Sequence, residues 1–295
     1  MSSGDSPAVA RRRLRLALRR SREAHELTQG QVAEALDWSL SKVQRIESGE
    51  VTVSSTDLRA LLQTLGVTDR DTVDQLAQDA RTSRRRGWWD QSDYRSQLTN
   101  GMLQLLQFES QATAIRCFSS TMIPGVLQTR EHADTVFEFW NRDLAEMSDE
   151  QRAVRLEVRM RRHSQVFDRP DPPEYLLVLD QSVLHREVGG PEMMYEQLRQ
   201  LLAYIAVGKV VLRILPFTKG SFVMLGPFVI LDLGADDDLV LYRESWLKDE
   251  VVHAPEALHR HRWMFDEMWR VSYPEEKSVL LVEARVAALK AAIDR

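Results

Sequence analysis

The stretch from Thr28 to Gly49 (TQGQVAEALDWSLSKVQRIESG) constrains this chain most, because its apolar residues recur as two short helical faces separated by a break. Val32 and Leu36 stand at i and i+4, and Val43 and Ile46 at i and i+3. With Gln29 as the first position, Ala33 falls at the fifth, where two helices that cross closely need a small side chain. Asp37 falls at the ninth, in the turn; positive φ there normally selects glycine, and Asp is among the few side chains that tolerate it. Val43 and Ile46, at the fifteenth and eighteenth, face inward. The spacing is that of a helix-turn-helix, whose second helix is shaped to enter a DNA major groove.

The local signals around the motif agree with it. Thr28 is placed to cap the first helix, with Gln31 three residues on as its capping-box partner. Ser39 is placed to cap the second, and Gly49 to end it in the left-handed region. Upstream, a helix is expected over Val9–Ala24. It carries Leu14, Ala17, Leu18 and Ser21 on one stripe and Arg11, Arg12, Arg15, Arg19 and Arg22 around the rest. Downstream, Thr56-Asp57 opens a fourth helix with Leu58, Leu61, Leu62 and Leu65, closed by Gly66. Asp71–Thr82 forms a fifth, with Val73, Leu76, Ala77 and Ala80 inward.

From Ala8 to Thr68 the chain resembles the DNA-binding domain of phage repressors and the related XRE-type (lambda-repressor-like) regulators. The resemblance implies a compact all-α unit of five helices. It also implies a DNA-binding set of Gln29, Ser39, Leu40, Ser41, Lys42, Gln44 and Arg45. In that set Gln29 braces phosphate and the recognition side chain, while Leu40, Ser41 and Arg45 reach base edges. Arg45 has the fork geometry to take guanine O6 and N7, and Leu40 suits only a thymine methyl. Ser39 and Lys42 are placed for phosphate, which orients a domain without reading sequence. Arg22 and Glu47 match an ion pair of the same family.

The motif uses only the first quarter of 295 residues, so two domains are expected: 8–83 for the helix-turn-helix unit, 84–88 as linker and 88–294 for the remainder. A hydrophobic content of 43% and charged content of 28% are those of a soluble globular protein. The overall charge of −5 argues against nucleic acid until the chain is divided. Residues 1–86 carry 15 Lys+Arg against 12 Asp+Glu, and the remainder 24 against 32. A basic head on an acidic body is the asymmetry a DNA-reading protein shows. No apolar stretch approaches the length of a membrane span, and no signal-peptide pattern is present. A single cysteine, Cys117, cannot form an intrachain disulfide, so a cytoplasmic location, on the nucleoid when DNA is bound, is expected.

Beyond Gly87 the composition shifts. Trp88 and Trp89 are expected in the core of the second domain. Helical patterns cover Leu98–Glu109, Thr129–Trp140, Asp149–Phe167, Glu192–Val207, Pro255–Val271 and Glu275–Ile293. Extended runs cover Ala114–Ser119, Tyr175–Asp180 and Val210–Pro216, and Phe222–Leu233 with Leu239–Glu244 reads as a hairpin around Gly234-Ala235-Asp236-Asp237-Asp238. Strand, helix, strand is a parallel crossover. The fold class is therefore α+β: the five-helix head followed by a domain with a small mixed sheet of about four strands. Ile123–Thr129 (IPGVLQT), Val178-Leu179-Asp180 through Gly189-Gly190, Ile214-Leu215-Pro216-Phe217 and Gly226-Pro227-Phe228 resemble a C-terminal domain of unknown function. It follows a helix-turn-helix in actinobacterial regulators of development and secondary metabolism. The resemblance implies a transcriptional regulator, often encoded beside a small partner protein.

Catalytic and metal chemistry find no footing. His259 and His261 lie two apart on a helix and point to different sides, away from a shared ligand with His253. Asp236-Asp237-Asp238 lacks the glycine and spacing of a calcium loop. Gly189-Gly190 stands outside any phosphate-cradling loop, and Cys117 sits in an apolar context as an inert thiol. No enzyme, cofactor or metal is expected, and no membrane partner. The expected function is sequence-specific binding of double-stranded DNA by a homodimer, with the second domain mediating dimerisation and sensing a partner protein or small-molecule effector. The alternative is an antitoxin-like or scaffold protein that binds a small partner and autoregulates through DNA. The last helix, with Val279, Leu280, Val282, Val286, Leu289 and Ile293, suits either a dimer contact or the core.

Overall fold

A computed structural model describes residues 7–49, 51–85, 87–139, 147–234, 239–244, 249–252 and 254–295. The polar start, Arg86, the Trp140 end of one expected helix, the Asp236-Asp237-Asp238 turn and His253 lie outside them. The chain divides into two compact units, Met1–Trp88 and Trp89–Arg295.

The first unit is five helices: α1 (Pro7–Ala24), α2 (Gln29–Ala35), α3 (Leu40–Ser48), α4 (Ser55–Thr64) and α5 (Arg70–Thr82). Thr28 and Gln31 form a full capping box on α2. Ser39 Oγ accepts the Lys42 N–H at the start of α3, and Gly49 ends that helix at φ 79°. Asp37 takes φ 53°, the strained turn conformation its position required. Two helix starts differ from expectation because better caps lie just upstream. Ser54 accepts the Asp57 N–H and starts α4 at Ser55, and Asp69 accepts the Thr72 N–H and starts α5 at Arg70. Leu14, Leu18, Val32, Ala33, Val43, Ile46, Leu58, Leu61, Leu62, Leu65, Leu76 and Ala80 close into one core.

The arginines of α1 correct the sequence reading. Arg12 and Arg15, placed by the sequence outside the apolar stripe of α1 and counted with its basic excess, are only 7% and 8% exposed. Helix α5 packs along α1 and covers part of that face. Arg13 pairs with buried Asp79, and Arg11 donates to the Ser83 carbonyl at 3.3 Å. Arg15 donates to the Ser48 carbonyl at 3.3 Å, so a cation meets the negative end of α3.

The second unit holds α6 (Ser92–Arg95), α7 (Asn100–Glu109), α8 (Arg130–Glu138), α9 (Asp149–Phe167), α10 (Pro191–Ala206), α11 (Pro255–Val271) and α12 (Glu275–Ile293). Its strands are β1 (Ala114–Ser119), β2 (Glu174–Asp180), β3 (Val211–Leu215), β4 (Phe228–Asp232), β5 (Leu239–Glu244) and β6 (Asp249–Val252). They form one mixed sheet in the order β3-β2-β1-β4-β5-β6. Strands β1, β2 and β3 pair in parallel, with Ile115 opposite Tyr175 and Val178 opposite Arg213. From β1 outward the pairing becomes antiparallel, with Cys117 opposite Val229. The sheet has six strands rather than about four. The run expected from Phe222 to Leu233 winds in 3-10 turns to Leu225, and Gly226 at φ 66° precedes a shorter strand.

Side-chain alternation divides the sheet's two faces. Phe118, Val178, Leu215, Phe228, Ile230 and Leu241 pack on Leu258, Phe265 and Met268 of α11. On the other face Tyr175 meets Phe167 of α9 with ring centroids 5.4 Å apart. A buried ion pair lies on this side, where Arg162 of α9 donates twice to Glu109 of α7 at 2.6 Å. Burial alone would depress the Arg162 pKa, but the Glu109 charge and hydrogen bonds outweigh it and raise it. Helix α12 turns Ser278, Val282 and Leu289 into the core, packing on α10 and β3, while Leu280 stays 62% exposed.

Candidate nucleic-acid interface

The two faces of α3 have opposite chemistry. Val43 and Ile46 are buried, whereas Ser39, Leu40, Ser41, Gln44 and Arg45 are exposed. Leu40 is 47% exposed, an apolar side chain at the N-terminal end of a helix where the core gives it no shelter. The rear of the helix is held by polar bonds as well as packing. Arg22 of α1 donates to both carboxylate oxygens of Glu47, at 2.6 and 2.9 Å. The hydrogen bond to Glu47 holds the Arg22 pKa above its ordinary value.

Two expected contact residues have partners within the protein. Gln29 Nε2 donates to Glu47 Oε2 at 2.8 Å, so its side chain joins the Arg22–Glu47 pair at the rear of α3. Lys42 Nζ donates to Asp57 Oδ1 at 2.9 Å and sits 3.5 Å from the ring centroid of Trp38. Asp57, Trp38 and Arg15 were absent from the sequence-derived set. Asp57 reads in sequence as an ordinary first-turn acid, and nothing in its spacing from Lys42 marks the two as neighbours. The structure thus brings Ser39, Leu40, Ser41, Gln44 and Arg45 onto one outward surface, with Lys42 beside it and Gln29 behind.

Other candidate chemistry is dispersed. Cys117 is buried, and burial pushes its thiol up to about 12. His261 has its ring edge-on to Phe228 at 5.1 Å and its Nδ1 2.7 Å from the Ala257 carbonyl oxygen. Among the described residues no group of three or more His, Cys, Asp or Glu could hold a metal, and no helix is long and apolar enough to cross a membrane.

An exposed recognition face on a helix held from behind defines a helix-turn-helix DNA-binding regulator, and residues 13–76 match the family described as "Helix-turn-helix domain". Residues 102–284, more than half of the chain, match "Domain of unknown function (DUF5753)". The chain belongs to that family. No curated protein and no solved structure matches it.

Proposed function

We propose that the protein is an XRE-type transcriptional regulator that reads double-stranded DNA sequence-specifically as a homodimer. The observation that carries this reading is the outward face of α3, where Leu40, Ser41, Gln44 and Arg45 are exposed around a helix anchored by Val43, Ile46 and the Arg22–Glu47 pair. Arg45 supplies the bidentate base contact, Leu40 the contact to a thymine methyl, and Ser39 and Lys42 the phosphate contacts that orient the domain.

A homodimer follows from interface arithmetic. One small head buries about 600–1,000 Å² of protein surface on DNA, at the low end for specific binding, and two heads on paired half-sites double it. In this reading the second unit is non-catalytic and joins the two copies, and it senses a partner protein or a small effector. The resemblance of the second unit to the C-terminal domain of actinobacterial regulators supports that division of labour. The test is selection of bound duplexes from a random pool, followed by titration against salt. Enrichment of paired half-sites with salt-sensitive affinity is expected. Recovery of an unenriched pool, or a monomer by sedimentation both free and on DNA, would remove the reading.

A further inference from the structure

Helix α9 carries arginines at 152, 155, 159 and 162, intervals of three, four and three that place all four along one stripe. The outer two are neutralised. Arg152 donates twice to Asp134 of α8 at 2.7 Å, and Arg162 donates twice to Glu109. The inner two differ: neither Arg155 nor Arg159 forms an ion pair among the described residues. Glu244, at the end of β5, acts on Arg159 from beyond ion-pair distance.

Arg159 is nevertheless held in place. Its Nη1 donates to Gln128 Oε1 at 2.6 Å, and its Cζ lies 4.2 Å from the Phe137 ring centroid. A Cβ on Gly125 would come 3.2 Å from its Nε, so the absence of a side chain there leaves room for the guanidinium. The Nε atoms of both Arg155 and Arg159 are buried with no hydrogen-bond partner among the described residues. His132 of α8, on which the Arg159 charge acts, is 1% exposed, and neither ring nitrogen has a partner among the described residues. Burial, with the Arg159 charge added, lowers the His132 pKa to about 4. Burial also lowers Arg159 to about 10, opposed by Glu244 and reinforced by Arg162 and Arg155.

Two part-buried guanidiniums one turn apart, with their Nε atoms buried and the nearest acting carboxylate, Glu244, beyond ion-pair distance, are an arrangement that an anion would complete. We propose that Arg155 and Arg159 form a binding site for a small oxyanion, a carboxylate or a phosphate, at the crossing of α8 and α9, with His132 supplying a ring N–H. Guanidinium forks match either group bidentately.

The site is built from residues of the second unit alone, so its test needs no duplex. The full chain is titrated calorimetrically at pH 7.5 and constant ionic strength with inorganic phosphate in one arm and benzoate in the other, chloride serving as the balancing anion. Saturable binding of either anion is expected, weakened at least about tenfold in Arg155→Gln and Arg159→Gln and unchanged in Arg45→Ala. The arm that binds identifies the oxyanion. Absence of saturable binding in both arms, equal binding by Arg155→Gln, or loss of binding in Arg45→Ala would overturn the assignment. Arg155, which has no hydrogen-bond or ion-pair partner among the described residues, keeps the test decisive should Arg159→Gln fail to fold.

Discussion

Arg22 and Glu47 meet through two parallel hydrogen bonds of 2.6 and 2.9 Å, tying α1 to the last turn of α3 with side chains only 12% and 9% exposed. Because Glu47 also accepts from Gln29, one carboxylate joins three helices behind the recognition face. Removing one partner of a buried pair strands the other charge. Arg22→Met is therefore expected to cost about 3 kcal/mol, read as a lower urea midpoint. An unchanged midpoint would show that packing alone positions α3.

On the outward side, Arg45→Ala is expected to weaken binding to the preferred duplex by about 1–3 kcal/mol and to relax the preference at one base position. Competition among duplexes that differ at single positions reads both effects. Equal losses on every duplex would assign Arg45 to phosphate instead.

In the proposed reading Lys42 is shared between DNA and the protein itself. Its 2.9 Å bond to Asp57 is half-exposed, so the bond contributes little to stability yet competes with a phosphate for the same ammonium. Asp57→Asn is expected to tighten DNA binding and to steepen the slope of log K against log salt by about 0.9, one more phosphate neutralised. A shallower slope in that variant would show that Asp57 serves to aim Lys42 rather than to hold it back.

His132 sets a pH dependence whose sign follows from burial. Its folded pKa is about 4 against 6.5 for the free side chain, so between those values the unfolded chain binds a proton that the folded chain refuses. Stability is full above pH 6.5 and falls as pH drops towards 4, by about 3 kcal/mol in all. Denaturant midpoints of the wild type and His132→Gln across pH 4–7 measure this; the variant should show the smaller decline, and parallel curves would place the titration elsewhere.

Gly101 lets α7 lie directly on β6. A Cβ there would fall 2.8 Å from the Asp249 Cβ and 2.9 Å from its carbonyl oxygen, which are backbone-fixed atoms. The same junction is closed by the Thr99 hydroxyl donating to the Asp249 carboxylate at 2.6 Å. Gly101→Ala is expected to cost roughly 1–3 kcal/mol, with amide exchange rising first in β6. Unaltered protection there would mean the strand yields without penalty.

Elements with a regular apolar period were legible from sequence alone. Asp149–Phe167, opened by the Ser148–Gln151 capping box, and Pro255–Val271, opened by a proline, fall at the expected bounds, as do Glu275–Ile293 and Ala114–Ser119. Strand β6 was not legible. Asp249-Glu250-Val251-Val252 is a four-residue edge with no alternation, and only its pairing to β5 makes it a strand. The burial of Arg12 and Arg15 was equally hidden. An arginine stem packs like an apolar chain, and the acceptors for Arg15 are backbone carbonyls, which no residue type announces. The outward face of α3 was readable from the motif's spacing, but the engagement of Gln29 by Glu47 and of Lys42 by Asp57 depends on how three helices meet. The inner arginines of α9 read in sequence as part of a charged helix; only the identity of their neighbours sets them apart.

Strand β1 occupies the middle of the sheet, yet its two neighbours come from distant parts of the chain: Glu174–Asp180 on one edge and Phe228–Asp232 on the other. A ribosome must therefore complete more than a hundred residues after β1 before its second edge is covered. Until then an apolar strand such as Ala114–Ser119 presents unpaired amides to any passing chain. Nascent or prematurely terminated chains ending before Phe228 would consequently be the form of this protein most dependent on chaperones, even though the N-terminal helices have everything they need to close much earlier.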